Sequence, residues 1–262
     1  MATIQVTIDG AVARVTLARP DVRNAFNAEV IGELRAVFRT ISEDPRIRVV
    51  VLAGEGKSFC GGADVNWMRG ALDLSYDENV ADAEAMSDMF REIDRCSKPV
   101  IGRIHGAALG GGAGLTAVCD IAIAADDTTF GFTEVKLGII PAVISPFVLA
   151  KIGASHARAL FLTGERFTGK HALAIGLVHQ LVLEDELDEA VARVARELLN
   201  SGPNAVAAAK TLIVRVAAAS YDDTRGITAA AIAKQRTSEE AQEGLRAFLE
   251  RRPASFAADS DA

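Results

Sequence analysis

The chain has 262 residues, half of them hydrophobic, with 28 Lys and Arg against 35 Asp and Glu, a formal charge of −7. Such a length buries a real core, as one large domain or a core plus a small appendage. The 22 glycines, abundant alanine and 5 % aromatics fit closely packed helices and sheets and disfavour disorder or a collagen-like repeat. The acidic balance argues against nucleic acid as a partner, which needs a concentrated basic face.

Cys60, Cys96 and Cys119 form no CxxC pair. They read as reduced thiols rather than disulfides or metal ligands, which leads us to expect a cytoplasmic protein with no metal site. The opening MATIQVTIDG lacks the basic and apolar regions of a signal peptide, and no run of about 18 apolar residues is present to cross a bilayer. The expectation is a protein neither secreted nor bound to a membrane.

Residues 3–17 alternate, with Ile4, Val6 and Ile8 on one face, then Asp9-Gly10, then Val12, Val15 and Leu17, which predicts a hairpin with a DG turn. An amphipathic stretch over 27–41 predicts a helix. The solid apolar run Val49-Val50-Val51-Leu52 predicts a strand buried on both faces, hence helices on both sides of the sheet. A loop over 53–62, helices to about residue 96, a strand over 100–104, a Gly-rich turn, a short helix and a strand over 121–124 follow. Strand, loop and helix repeated in this way predict an α/β core with crossover connections. From about residue 185 only helical periodicity appears, over 187–199, 205–218, 227–232 and 241–249. Thr237 and Glu240 stand at capping-box spacing before the last of these. No linker rich in Pro or Ser separates the two parts, and the closing ADSDA is expected to fray.

Two segments follow strands and precede helices: KSFCGGAD over 57–64 and HGAALGGG over 105–112. Glycine at such points lets the backbone approach a ligand, and a helix start presents unpaired N–H groups and the positive end of the dipole. Each loop is therefore a candidate anion or oxyanion site. The bland alternative is that the glycines only let helix pack on sheet. Neither loop is a phosphate-binding P-loop or a dinucleotide fingerprint.

The stretches FCGGADVNWM, HGAALGGGAGL with CDIAIA, and FGFTEVKLGIIP resemble the three signature regions of the enoyl-CoA hydratase/isomerase (crotonase) superfamily. The similarity runs from the opening hairpin to the C-terminal FLERR, and within the superfamily it points to bacterial methylglutaconyl-CoA hydratase-like members. It implies an α/β fold, a spiral of ββα units carrying the active site over 1–195, with a C-terminal helical oligomerisation region over 196–262. It also implies that the amides of Ala63 and Gly111 hold a thioester oxygen and that Glu134 exchanges a proton with the α-carbon or with water. Taken alone, Glu134 reads as a solvated loop carboxylate pairing with Lys136.

Hydratases of this type usually carry a second Glu where this chain has Gly114. The glycine is expected to open space for a branched acyl group, and what replaces the acid is left open. Asp64, Asp82, Glu84, Asp120 and His105 are the groups weighed for that role, and none stands out. Coenzyme A enters as part of the substrate, with no separate cofactor. By resemblance its path is lined by the loop over 19–25, with Arg23 and Ala25, and by Gly61, Asp64, Val65 and Gly110. Phe248 and Arg251 would come from a neighbouring subunit of a homotrimer or homohexamer, and Lys57 is a further candidate. The expected activity is hydration of a 2-enoyl-CoA thioester, with a methylglutaconyl-type acyl group among the candidates. The alternatives are an enoyl-CoA isomerase using one carboxylate and a catalytically idle acyl-CoA-binding homologue.

Overall fold

A computed structural model describes residues 2–257, and the closing ADSDA lies outside them. Strands β1 (Ile4–Asp9) and β2 (Val12–Leu17) form the hairpin, with Asp9 paired to Val12. The turn is therefore Gly10-Ala11 rather than Asp9-Gly10, and Gly10 takes the left-handed φ of +54° that such a turn needs. Of the three apolar residues expected to share a buried face of β1 only Ile4 is covered; Val6 and Ile8 are exposed because β1 is the sheet edge.

Helix α1 (Ala28–Glu43) starts where the Asn27 side chain accepts from the N–H of Val30, and it buries Val30, Leu34, Phe38 and Ile41 at helical spacing. Strand β3 (Val49–Gly54) lies inside the sheet. Val50 and Leu52 face the main core with α1, while Val49 and Val51 face a second cluster, so both sides of the run are apolar. Helices α2 (Val65–Gly70) and α3 (Tyr76–Asp94) follow, the latter opened by a reciprocal capping box between Ser75 and Glu78.

Next come β4 (Val100–Ile104), β5 (Ala107–Leu109), α4 (Gly111–Val118), β6 (Ile121–Ala125) and β7 (Thr129–Gly131). After them come α5 (Ser145–Thr163), β8 (Arg166–Thr168), α6 (Gly169–Ala174), β9 (Gln180–Val182) and α7 (Leu187–Leu199). Two sheets result. One has the order β1-β2-β3-β4-β6-β9, parallel except for β1; the other is a small sheet, β5-β7-β8. This is the expected α/β architecture. Helix α7 packs whole against β3, β4 and β6, with Leu198 and Leu199 included, so a division at 195/196 would cut it.

Helices α8 (Pro203–Ala217), α9 (Tyr221–Arg236) and α10 (Glu239–Glu250) form the C-terminal region. Neither α8 nor α9 buries a residue, and α10 buries only Ala247. Polar ties hold the region to the core: Lys210 Nζ reaches Asp120 Oδ2 at 2.7 Å, and Arg48 donates to the carbonyls of Ser201 and Phe256. The capping box expected from Thr237 and Glu240 does not form. Ser238 caps α10, and the Glu240 carboxylate instead accepts from the N–H groups of Asn204 (2.9 Å) and Ala205 (2.8 Å) at the start of α8. Among the described residues no helix is long and apolar enough to cross a membrane.

Candidate active site

The two glycine loops meet in space. The 57–64 loop is laced to its neighbours by backbone bonds: Phe59 and Cys60 donate to His105 and Ala107, Leu109 donates back to Cys60, and Asp64 donates to Phe26. Gly110 in turn donates to Gly131 of β7 at 2.8 Å. Among the described residues the N–H groups of Ala63 and Gly111, in the midst of this lacing, donate to no protein acceptor. Gly111 begins α4, so its N–H belongs to the unpaired first turn at the positive end of the helix. Two glycines explain how the amides come to point outward: Gly62 (φ +100°) and Gly110 (φ +51°) take backbone conformations that L side chains rarely adopt.

Both amides border a cavity of about 420 Å³. Its walls come from the two loops, from Trp67 and Met68 on α2, from Asp82 and Met86 on α3, and from the apolar segment 137–144. Glu134 opens a single turn of 3-10 helix, Glu134–Leu137, just beyond β7, and its side chain lies against the Gly110 loop: a Cβ on Gly110 would stand 3.2 Å from Oε1. The other oxygen, Oε2, is buried and has no hydrogen-bond partner. Burial pushes the Glu134 carboxyl above the ordinary glutamate range. Glu134 forms no ion pair with Lys136, so it is not the solvated loop carboxylate it would be in isolation. A desolvated acid with an unpartnered oxygen, lining the same cavity as two free amides, can move a proton next to a carbonyl whose developing negative charge such amides can hold.

The sequence profile described as enoyl-CoA hydratase/isomerase matches residues 7–259. The chain belongs to the enoyl-CoA hydratase/isomerase family. Within it, the chain is 32 % identical over 246 residues to a short-chain-enoyl-CoA hydratase of Clostridium acetobutylicum, covering 93 % of either protein. It is 33 % identical over 240 residues to a crotonyl-CoA hydratase of Syntrophomonas wolfei, covering 91 % of each. An enoyl-CoA hydratase structure from Shewanella pealeana superposes with a TM-score of 0.93 at 37 % identity, over 97 % of this chain and 95 % of that one. Pseudomonas aeruginosa AtuE superposes with a TM-score of 0.94 at 36 % identity, over 98 % and 100 %.

In this family member the structure brings together Ala63, Gly110, Gly111, Glu134 and Gly61 at one cavity. Asp64 lies just outside it, buried. Burial alone would raise its carboxyl, but the N–H of Asn66 (2.8 Å) and the Arg19 guanidinium (2.8 Å) outweigh that and hold it below the usual aspartate range. Asp64 is thus the N-cap of α2 and not an acid-base group. Arg19 also donates to the carbonyl of Ala25, and Arg23 packs its Cβ beside Gly61. Lys57 and Val65 are exposed and line no part of the cavity. Phe248 and Arg251 are exposed at the end of α10, also outside it.

Gly114 overturns the expectation of open space. It is buried and absent from the cavity wall; a Cβ there would collide with Cγ2 of Ile144 and stand 3.1 Å from Cζ of Phe90. The room that the missing side chain leaves is already filled. His105 is a packed histidine, its Nε2 donating to Gly56 O (2.9 Å) and its Nδ1 accepting from Arg103 (3.2 Å). Asp120 orders the start of β4, accepting from the Val100 N–H as well as from Lys210. Glu84 is exposed. Cys60, although within the 57–64 loop, is buried with its thiol pushed up to about 12, which leaves it inert.

One feature escaped the sequence, and one acid weighed there could not be placed. Asn24 is 1 % exposed with φ +55°, and its amide staples the 19–25 loop to the carbonyls of Glu55 and Ser58 at 2.9 and 2.8 Å. An Asn in a left-handed turn was a usable signal. Asp82 lines the cavity, and nothing short of the phase of α3 against the core would have revealed it.

Proposed function

We propose that the chain is a hydratase of 2-enoyl-CoA thioesters. The observation that carries this reading is the buried, unpartnered Oε2 of Glu134 in a cavity with two free amides. The thioester oxygen accepts from the N–H groups of Ala63 and Gly111, water adds at C3, and Glu134 moves a proton to C2 of the resulting enolate. A preorganised donor aimed at the oxyanion lowers such a barrier by ~3 kcal/mol. Relatives named for short-chain-enoyl-CoA and crotonyl-CoA hydration support the same chemistry.

The acyl group is uncharged in this reading. Among the described residues the cavity wall holds two acids, Asp82 and Glu134, and no Lys, Arg or His. A methylglutaconyl-type thioester, implied by the resemblance, would bring a further carboxylate with no cation to receive it, at a cost in desolvation and repulsion. Leu137, Ile139, Ile140, Val143 and Ile144 suit a short or branched apolar chain.

Loss of the conjugated enoyl absorbance of crotonyl-CoA tests the reading. The parent protein turns it over, and Glu134→Gln lowers kcat by about 10² or more while CoA binding changes little. Near-normal turnover in the variant removes Glu134 from the mechanism. Isomerisation is the second reading, favoured by the absence of an acid at Gly114, and conversion of a 3-enoyl-CoA without hydration of crotonyl-CoA would select it.

A further inference from the structure

The cavity has two carboxyl groups on different walls, Glu134 beyond β7 and Asp82 on α3. The face of α3 that meets the site carries Asp82, Met86 and Phe90, spaced i, i+4 and i+8, so they stand in one row. Phe90 fills the place beside Gly114, and the methyl of Met86 lies 3.2 Å from where a Cβ on Gly111 would be. Asp82 is the next member of the row, ~6 Å along the helix axis from Met86 toward the cavity. It therefore stands one turn from the residue that touches the oxyanion glycine. Both acids therefore border one cavity of about 420 Å³, the space that an acyl thioester and a water would share.

The local environment of Asp82 suits proton transfer. It is half-buried, and burial pushes its carboxyl above the ordinary aspartate range, a shift that the nearby Trp67 indole opposes in part. No basic residue lines the cavity to pair with it. No ion pair among the described residues engages Asp82, so its carboxylate is left to the cavity it lines.

Resting on the hydratase reading above, we propose that Asp82 is the second catalytic carboxylate, the one that takes the proton of the attacking water. The water oxygen bonds to C3 as one of its protons passes to the Asp82 carboxylate. The C2–C3 π pair moves toward C1, giving an enolate whose oxygen the Ala63 and Gly111 amides hold. Protonated Glu134 then gives its proton to C2 and the thioester carbonyl re-forms. One water has been added, and a proton passing from Asp82 to Glu134 through solvent restores the starting state. The acid absent from α4 is thus supplied by α3.

The test compares two reactions of the same protein. Hydration of crotonyl-CoA needs both carboxylates, whereas exchange of the C2 proton of butyryl-CoA into deuterated water needs only Glu134 and the amides. Asp82→Asn is expected to lower hydration by about 10²-fold or more while exchange stays within roughly threefold, and Asp82→Glu to recover part of the hydration. Hydration unchanged in the Asn variant overturns the proposal. Equal loss of both reactions also overturns it, since Asp82 would then act on the shape of the site. If the Asn variant fails to fold, the Glu variant decides by the same criterion: selective loss of hydration supports the proposal, parallel loss overturns it. A parent protein that exchanges the C2 proton but hydrates no 2-enoyl thioester overturns the hydratase reading itself, and the role of Asp82 falls with it.

Discussion

Glu134 has been taken out of water by its surroundings without being given a protein partner, and that combination fixes how the folded state titrates. Its carboxyl is raised by burial, so the folded protein holds this proton more tightly than the unfolded chain does. The stability contributed is full below the unfolded value and is lost as pH rises through the folded one. Glu134→Gln cannot ionise, so it should melt higher than the parent at neutral pH, with the gap closing below the ordinary glutamate range. Thermal melts across that range check this, and a gap independent of pH would contradict it. Gly114 makes a different point at the same scale. Overpacking against Ile144 and Phe90 costs ~1–3 kcal/mol, offset by roughly 1 kcal/mol of better helix propensity. Gly114→Ala should therefore lose on the order of 1 kcal/mol by denaturant titration, and a neutral result would show that Ile144 gives way. A glutamate there should lower activity on every acyl chain alike. The loop glycines could be singled out in the sequence because their chemistry is local, whereas Glu134 read alone as a solvated loop carboxylate and was singled out only by the family resemblance. Whether an absent side chain leaves a void was not legible, since the answer lies with residues 24 and 30 positions away.

At the scale of elements, periodicity announced the hairpin, β3, β4, β6, α1 and α7 because burial on one or two faces leaves its period in the chain, but it gave no expectation for α5, β8 or β9. It did not announce which way α3 is turned. Asp82 sits on a helix whose charged residues look like an ordinary wet face, and only the packing of Met86 and Phe90 against α4 carries it to the cavity. The capping box at Thr237 and Glu240 failed for a related reason: the spacing was right, but the start of α8 competes for the same carboxylate. This bond has weight because α8 buries nothing of its own. Glu240→Ala should cost ~0.5–2 kcal/mol, the worth of a helix N-cap, and should speed amide hydrogen exchange in α8 more than in β3. Equal exchange in the two elements would show that the cap does not anchor that helix.

For the whole molecule, the C-terminal helices pose a question of partners. Ile213, Val214, Phe248 and Leu249 are each more than half exposed on α8 and α10, an apolar display that single chains seldom keep in water. We expect assembly as a trimer or a pair of trimers, which light scattering measures directly. A monomer at micromolar concentration would overturn that and leave Phe248 and Arg251 with no neighbour's site to complete. The described core, by contrast, explains why relatives at 36–37 % identity superpose so closely. In the proposed mechanism the oxyanion donors are peptide N–H groups, and main-chain bonds from Cys60, Leu109, Gly110 and Asp64 hold their loops in place. Every residue except proline brings the same N–H, so the side chain at position 63 can drift without erasing the donor. An alanine scan would be blind there: Ala63 is already alanine, and the dipole it supplies would appear in no table of side-chain effects. Replacing that amide by an ester, a change of one backbone atom, is the alteration to which such a centre is exposed.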